Sequence, residues 1–164
     1  MKKLGICSIA SIAASTFFAA SVSADPVSIA IQGNVDPICQ VTGLNPVNYQ
    51  AGILNSGASL STSISGLTVQ CNYASGANVT LTSTNEGMKS NSSTDVVHYT
   101  ATLNMDTLAD LSLDTSASKS ATNGYGGSTL LATGESAALD IAVTGTATYA
   151  GDYSDTLTIT IAQQ

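Results

Sequence analysis

His98 is the chain's one histidine and its first candidate for acid–base chemistry. It stands between Val97 and Tyr99 in an alternating run, on the parity opposite the apolar residues, which reads as a solvated strand histidine. Asp106, Asp110 and Asp114 recur every four residues. On a helix they would share a face and could offer oxygen ligands to calcium. The spacing is not that of an EF-hand loop, and solvated loop carboxylates are the simpler reading. Asp152 and Asp155 flank Tyr153, and paired carboxylates can do glycosidase work. A turn followed by an edge strand accounts for them better. Serines are abundant, but none sits in a nucleophile elbow. No catalytic constellation assembles, so the expectation is a protein without enzyme activity, cofactor or metal.

The thiols point to structure instead. Cys7, Cys39 and Cys71 are the three cysteines. Cys7 lies in a segment that reads as a secretory leader: Lys2 and Lys3, an apolar and small-residue run to Ala20, then Ser21-Val22-Ser23-Ala24. Cleavage is expected after Ala24, giving residues 1–24 as a signal peptide. Cys39 and Cys71 then remain, and an even pair in an exported chain reads as a disulfide, with two free buried thiols as the alternative. The bridge would close a loop of about 33 residues, worth on the order of 3–5 kcal/mol in the chain-entropy model.

Residues 25–164 are long enough for one domain with its own core. Two lysines, Lys89 and Lys119, against 11 acidic residues leave this part with a formal charge of −9. Such a surface repels phosphate backbones and anionic lipid, so nucleic acid and membrane insertion are not expected. Ser, Thr, Asn and Gly do most of the solubilising, while 43% apolar residues can build a core.

The elements that must carry these residues read as strands. Val, Ile, Thr, Tyr and Leu alternate with small polar residues in short runs, and no convincing helix appears. Val27, Ile29, Ile31 and Val35 share one parity. Residues 38–42 carry Cys39 and Val41 inward, and residues 47–49 form a short piece between turns. Leu67, Val69 and Cys71 share a face, as do Val79 and Leu81. Val97 to Met105 alternates for nine residues. Residues 85–95 read as a loop, and 106–123 fit either a strand or a short helical turn around Leu108, Leu111 and Leu113. Asn123-Gly124 and Gly126-Gly127 read as turns. Leu139, Ile141 and Val143 make a strand, and Tyr153, Leu157, Ile159 and Ile161 make the last one, with Thr156, Thr158 and Thr160 facing away. Strict alternation implies an antiparallel β-sandwich with one wet face per sheet.

Residues 25–36 lie before Cys39, between Asp25-Pro26 and Asp36-Pro37. Taken alone, this segment is the first strand of the sandwich's own sheet. The order of motifs adds a second reading. Cys39 with a partner in Leu67-Thr68-Val69-Gln70-Cys71, the run Val47-Asn48-Tyr49-Gln50-Ala51-Gly52, Val96-Val97-His98-Tyr99, and above all Gly151-Asp152-Tyr153-Ser154-Asp155 leading into Thr156–Ile161 resemble the pilins of the chaperone–usher pathway. Within them, the chain resembles the spore coat protein U-like, archaic branch. The likeness covers most of residues 25–164. The ending Ala162-Gln163-Gln164 departs from relatives that finish on an aromatic or apolar residue.

The resemblance implies an immunoglobulin-like sandwich lacking its last strand and completed by donor-strand complementation. Residues 25–36 would be the donor strand, with Val27, Ile29, Ile31 and Val35 inserted into a neighbour, and residues 37–164 the pilin domain. Gly33 shares the donors' parity and marks either a close backbone approach or the end of the inserted part. Tyr153, Leu157, Ile159 and Ile161 would line the receiving groove. The implied partners are other pilin subunits, a periplasmic chaperone and an outer-membrane usher, and the implied location is the cell surface, in a fimbrium that supports adhesion or biofilm formation. The alternative is a free secreted sandwich that binds carbohydrate or another surface ligand. That function wants exposed aromatics, and residues 25–164 hold six Tyr but neither Trp nor Phe.

Overall fold

The structure, a computed structural model, describes residues 27–43, 52, 54 and 60–164. The chain divides into two units, Met1–Asn34 and Val35–Gln164. In the first, the described residues 27–34 carry neither strand nor helix, and Val27, Ile29 and Ile31 stand 88%, 81% and 92% exposed. The second opens with Val35, 81% exposed, and its first ladder begins only at Cys39. The alternation over residues 27–35 therefore forms no strand of a sheet among the described residues. The expected piece at residues 47–49 lies outside the described residues.

The second unit is nearly all β. Its strands are β1 (Cys39–Thr42), β2 (Ser61–Cys71), β3 (Ala77–Ser83), β4 (Met88–Ser90), β5 (Val96–Val97), β6 (Tyr99–Met105), β7 (Leu111–Asp114), β8 (Ser120–Tyr125), β9 (Glu135–Val143), β10 (Tyr153–Ser154) and β11 (Leu157–Gln163). Every ladder among the described residues is antiparallel. One sheet has the order β1-β2-β9-β6-β7, a second β11-β3-β8, and a small third one β10-β4-β5. Inward residues of the first two meet in one core: Leu67 and Val69 from β2, Leu103 from β6 and Leu113 from β7 against Val79 and Leu81 from β3. The period of two in the sequence puts them there.

Four expectations are corrected. A helix does exist, α1 (Thr129–Thr133): the Ser128 hydroxyl accepts from Leu131 N at 3.1 Å as its cap, and Leu131 is fully buried. Its five residues are too few to leave a periodic signal. The presumed loop at 85–95 contains β4, held between β5 and β10. Asn123-Gly124 is no turn but lies within β8, opposite Val79 and Asn78. A Cβ there would meet the flexible end of the Gln164 side chain, which would have to move aside. The nine-residue run ending at Met105 breaks at His98, where the chain passes from the small sheet to the five-stranded one.

Residues 106–123, which sequence leaves open, resolve into β7, a turn and β8. In β2 the register shifts between Ile64 and Leu67, with Gly66 at φ +80°. This bulge moves the inward set from Thr62 and Ile64 to Leu67, Val69 and Cys71. No helix among the described residues is long and apolar enough to cross a membrane.

Candidate functional site

The two sheets have two pairs of edges, and the members of each pair lie close together. On one side β7 and β8 are joined by a short connection, and Leu111 and Leu113 of β7 are only 4% and 1% exposed. On the other side lie β1 and β11. Among the described residues β1 pairs only with β2, and β11 only with β3. Leu157, Ile159 and Ile161 alternate inward with Thr158 and Thr160 outward, as their parity predicts. The three apolar residues pack against the core but stay half-buried, as does Val41 of β1. Their ladder partners Ser83, Leu81, Val79 and Val69 are all 0% exposed. β1 and β11 approach each other without forming a ladder, so each keeps one backbone edge unpaired among the described residues, beside half-buried apolar side chains.

The start of β1 is pinned covalently to its own sheet. Cys39 and Cys71 are disulfide-bonded and stand opposite each other in the β1–β2 ladder. Asn72 reinforces the pin: its Oδ1 accepts from Ile38 N at 2.8 Å, its backbone N donates to Ile38 O at 2.9 Å, and its Nδ2 donates to Asp36 O at 2.8 Å. The segment entering β1 is therefore fixed from residue 36 onward.

The start of β11 is held by a polar cluster. Asp155, two residues before β11, accepts through Oδ2 from Tyr99 Oη at 2.6 Å and Ser83 Oγ at 2.5 Å. Its Oδ1 accepts from Asn85 N at 2.9 Å. Ser83 Oγ also accepts from Gly87 N at 3.1 Å. Burial, and after it the hydrogen bond to Asp155, pushes the Tyr99 phenol well above its ordinary value, so Tyr99 stays a donor.

The expected groove residues are not all brought together. Tyr153 sits in β10 of the small sheet, where its one hydroxyl proton is shared between Asp95 Oδ2 at 2.7 Å and Tyr149 O at 2.8 Å. Asp95 also accepts from Thr148 N at 2.7 Å, and this bond, then that from Tyr153, lowers its carboxyl pKa. The Asn72, Ser83 and Asp155 contacts escape sequence reasoning. A faint signal existed for Ser83 and Tyr99, polar groups on the inward parity of their strands.

The chemical candidates scatter. His98 is half-buried, on the parity opposite buried Val97 and Tyr99 as expected, but its Nδ1 is buried beneath Gly87 with no hydrogen-bond partner among the described residues, so the ring is only partly solvated. Asp110 accepts from Met105 N and Asp114 from Ser116 N and Oγ, as turn-stabilising groups. Glu135, 3% exposed, accepts from Thr107 N at 2.5 Å and Thr107 Oγ1 at 2.7 Å and so ties a loop to β9. Compared with known proteins, the chain matches no family model and no curated protein.

Proposed function

We propose that the chain is a structural subunit of a surface fibre, assembled by strand donation between copies or related subunits. The observation that carries this is a pair of singly paired edge strands: Val41, Leu157, Ile159 and Ile161 are half-buried beside fully buried ladder partners, on two strands with one pairing neighbour each among the described residues. Such an edge fits an incoming strand, whose backbone would extend a ladder while alternate side chains complete the core. Val27, Ile29, Ile31 and Val35 have the spacing and the exposure of a donor. Burying four aliphatic side chains would contribute at most roughly 6–12 kcal/mol.

On this reading the sandwich is immunoglobulin-like and short of its final strand. A periplasmic chaperone covers the open side until an outer-membrane usher exchanges it for the next subunit's residues 25–36. The disulfide suits an extracytoplasmic route. Carbohydrate binding has less support: among the described tyrosines only Tyr149 is exposed, at 61%. The test places a carboxylate in the donor. Ile29→Asp or Ile31→Asp should abolish heat-resistant oligomers on unboiled gels while the disulfide-bonded subunit still accumulates. Normal oligomer ladders from both variants would refute strand donation by residues 25–36.

A further inference from the structure

We infer that Asp155 is a positioning residue that, through Tyr99 and Ser83, fixes the Leu157 end of the strand-accepting side; this rests on the strand-donation reading above. Tyr99 belongs to the five-stranded sheet and Ser83 to the β11-β3-β8 sheet. The two side chains meet on the same oxygen of Asp155, at 2.6 and 2.5 Å. One carboxylate therefore bridges the two sheets. Ser83 is also the ladder partner of Leu157, so the bridge sits where β11 begins.

The far end of β11 lies by the disulfide: Gln163 pairs with Ala77, and Gly76 O lies 3.8 Å from Cys71 Sγ. The disulfide ties β1 to β2 within one sheet at that end, and the Asp155 hydrogen bonds bridge the two sheets at the other. Between these ends, no described backbone group bonds to the outer edge of β11. An incoming strand must meet the ladder groups of β11 at a spacing of about 4.8 Å, and holding the Leu157 end beforehand lowers the ordering cost of that pairing.

The experiment uses the full exported chain and a fluorescent synthetic peptide of residues 25–36. Tyr99→Phe removes one hydroxyl and keeps the buried ring. It should release the peptide roughly tenfold faster than the unaltered protein. Peptides carrying Val27→Ala or Val35→Ala then locate the effect. Tyr99→Phe should couple with one of these terminal changes and add independently to the other, and the Cys39→Ser/Cys71→Ser variant should couple with the opposite end. General loosening of the fold would weaken all peptides alike. Asp155→Asn should release the peptide faster with the same end preference as Tyr99→Phe, and if it fails to accumulate, Tyr99→Phe alone carries the test. Unchanged release, or equal coupling at both ends, overturns this role of Asp155 and leaves strand donation standing. An unaltered protein that does not retain the peptide overturns strand donation itself.

Discussion

Two tyrosine–aspartate pairs hold the C-terminal strands in place, and they respond to opposite ends of the pH scale. The Tyr99 phenol has its pKa raised in the folded state, by burial first and by Asp155 second. Its contribution is complete below the ordinary tyrosine value of 10.0 and is lost as pH rises through the folded value. The stability gap between the unaltered protein and Tyr99→Phe, followed by thermal unfolding, should therefore shrink above pH 10. A gap that widens there would contradict the tether. Asp95 is lowered by Thr148 N and then Tyr153, so its contribution is present above 3.8 and is lost as pH falls below that. On β11, Ile159→Asp should cost roughly 2–4 kcal/mol, because it sets a carboxylate against the core. Thr158→Asp, on the wet face, should cost about 0.5 kcal/mol or less. Equal losses in urea unfolding would mean the faces are misassigned. This parity was legible in the sequence because period-two alternation survives to Ile161. The Asp155 tether was not: its partners come from residues 83, 85 and 99, and no local pattern announces a contact across two sheets.

At the scale of the element, what sequence hides is where alternation is interrupted. Thr62 and Ile64 face inward at one end of β2, and Leu67, Val69 and Cys71 at the other, which a regular strand cannot do. Gly66 absorbs the change at φ +80°. A Cβ on Gly66 would meet nothing within 4 Å, so the cost of Gly66→Ala is conformational alone, about 1–2 kcal/mol by denaturant unfolding. Retained stability would mean the bulge can move. The same lesson applies at Asn123-Gly124, where the residues of a tight turn serve a close approach to the Gln164 side chain instead. It applies again at His98, where the regular pattern runs on while the backbone changes sheet. The antiparallel all-β class, the disulfide pair and the inward faces of β3, β6 and β11 were readable, since each depends on residues near in sequence or on a pair without competitors.

At the scale of the whole molecule, the question is what covers the half-buried apolar residues of β1 and β11. If the cover is residues 25–36 of another copy, then this segment is dispensable for its own domain. Deleting it should leave a disulfide-bonded domain that its chaperone still captures but that no longer forms fibres. Moving the same twelve residues behind Gln164 on a flexible linker should bring donor and acceptor into one chain. Effective concentrations in the millimolar range for short linkers then favour the intramolecular strand. The product should be a soluble monomer that needs no chaperone. Its unfolding midpoint should exceed that of the deleted form by tens of degrees, since even half of the roughly 6–12 kcal/mol available is a large share of a domain's net stability. Linker length gives a further check: a tether too short to reach the open side should lose the gain entirely, and a longer one should restore it. Thermal unfolding of the deleted, transplanted and short-linker forms, each with its oligomeric state measured, decides the matter. A deleted form that is unfolded even in the chaperone's presence, and that no linker length rescues, would assign residues 25–36 to the domain's own core and end the account of a donated strand.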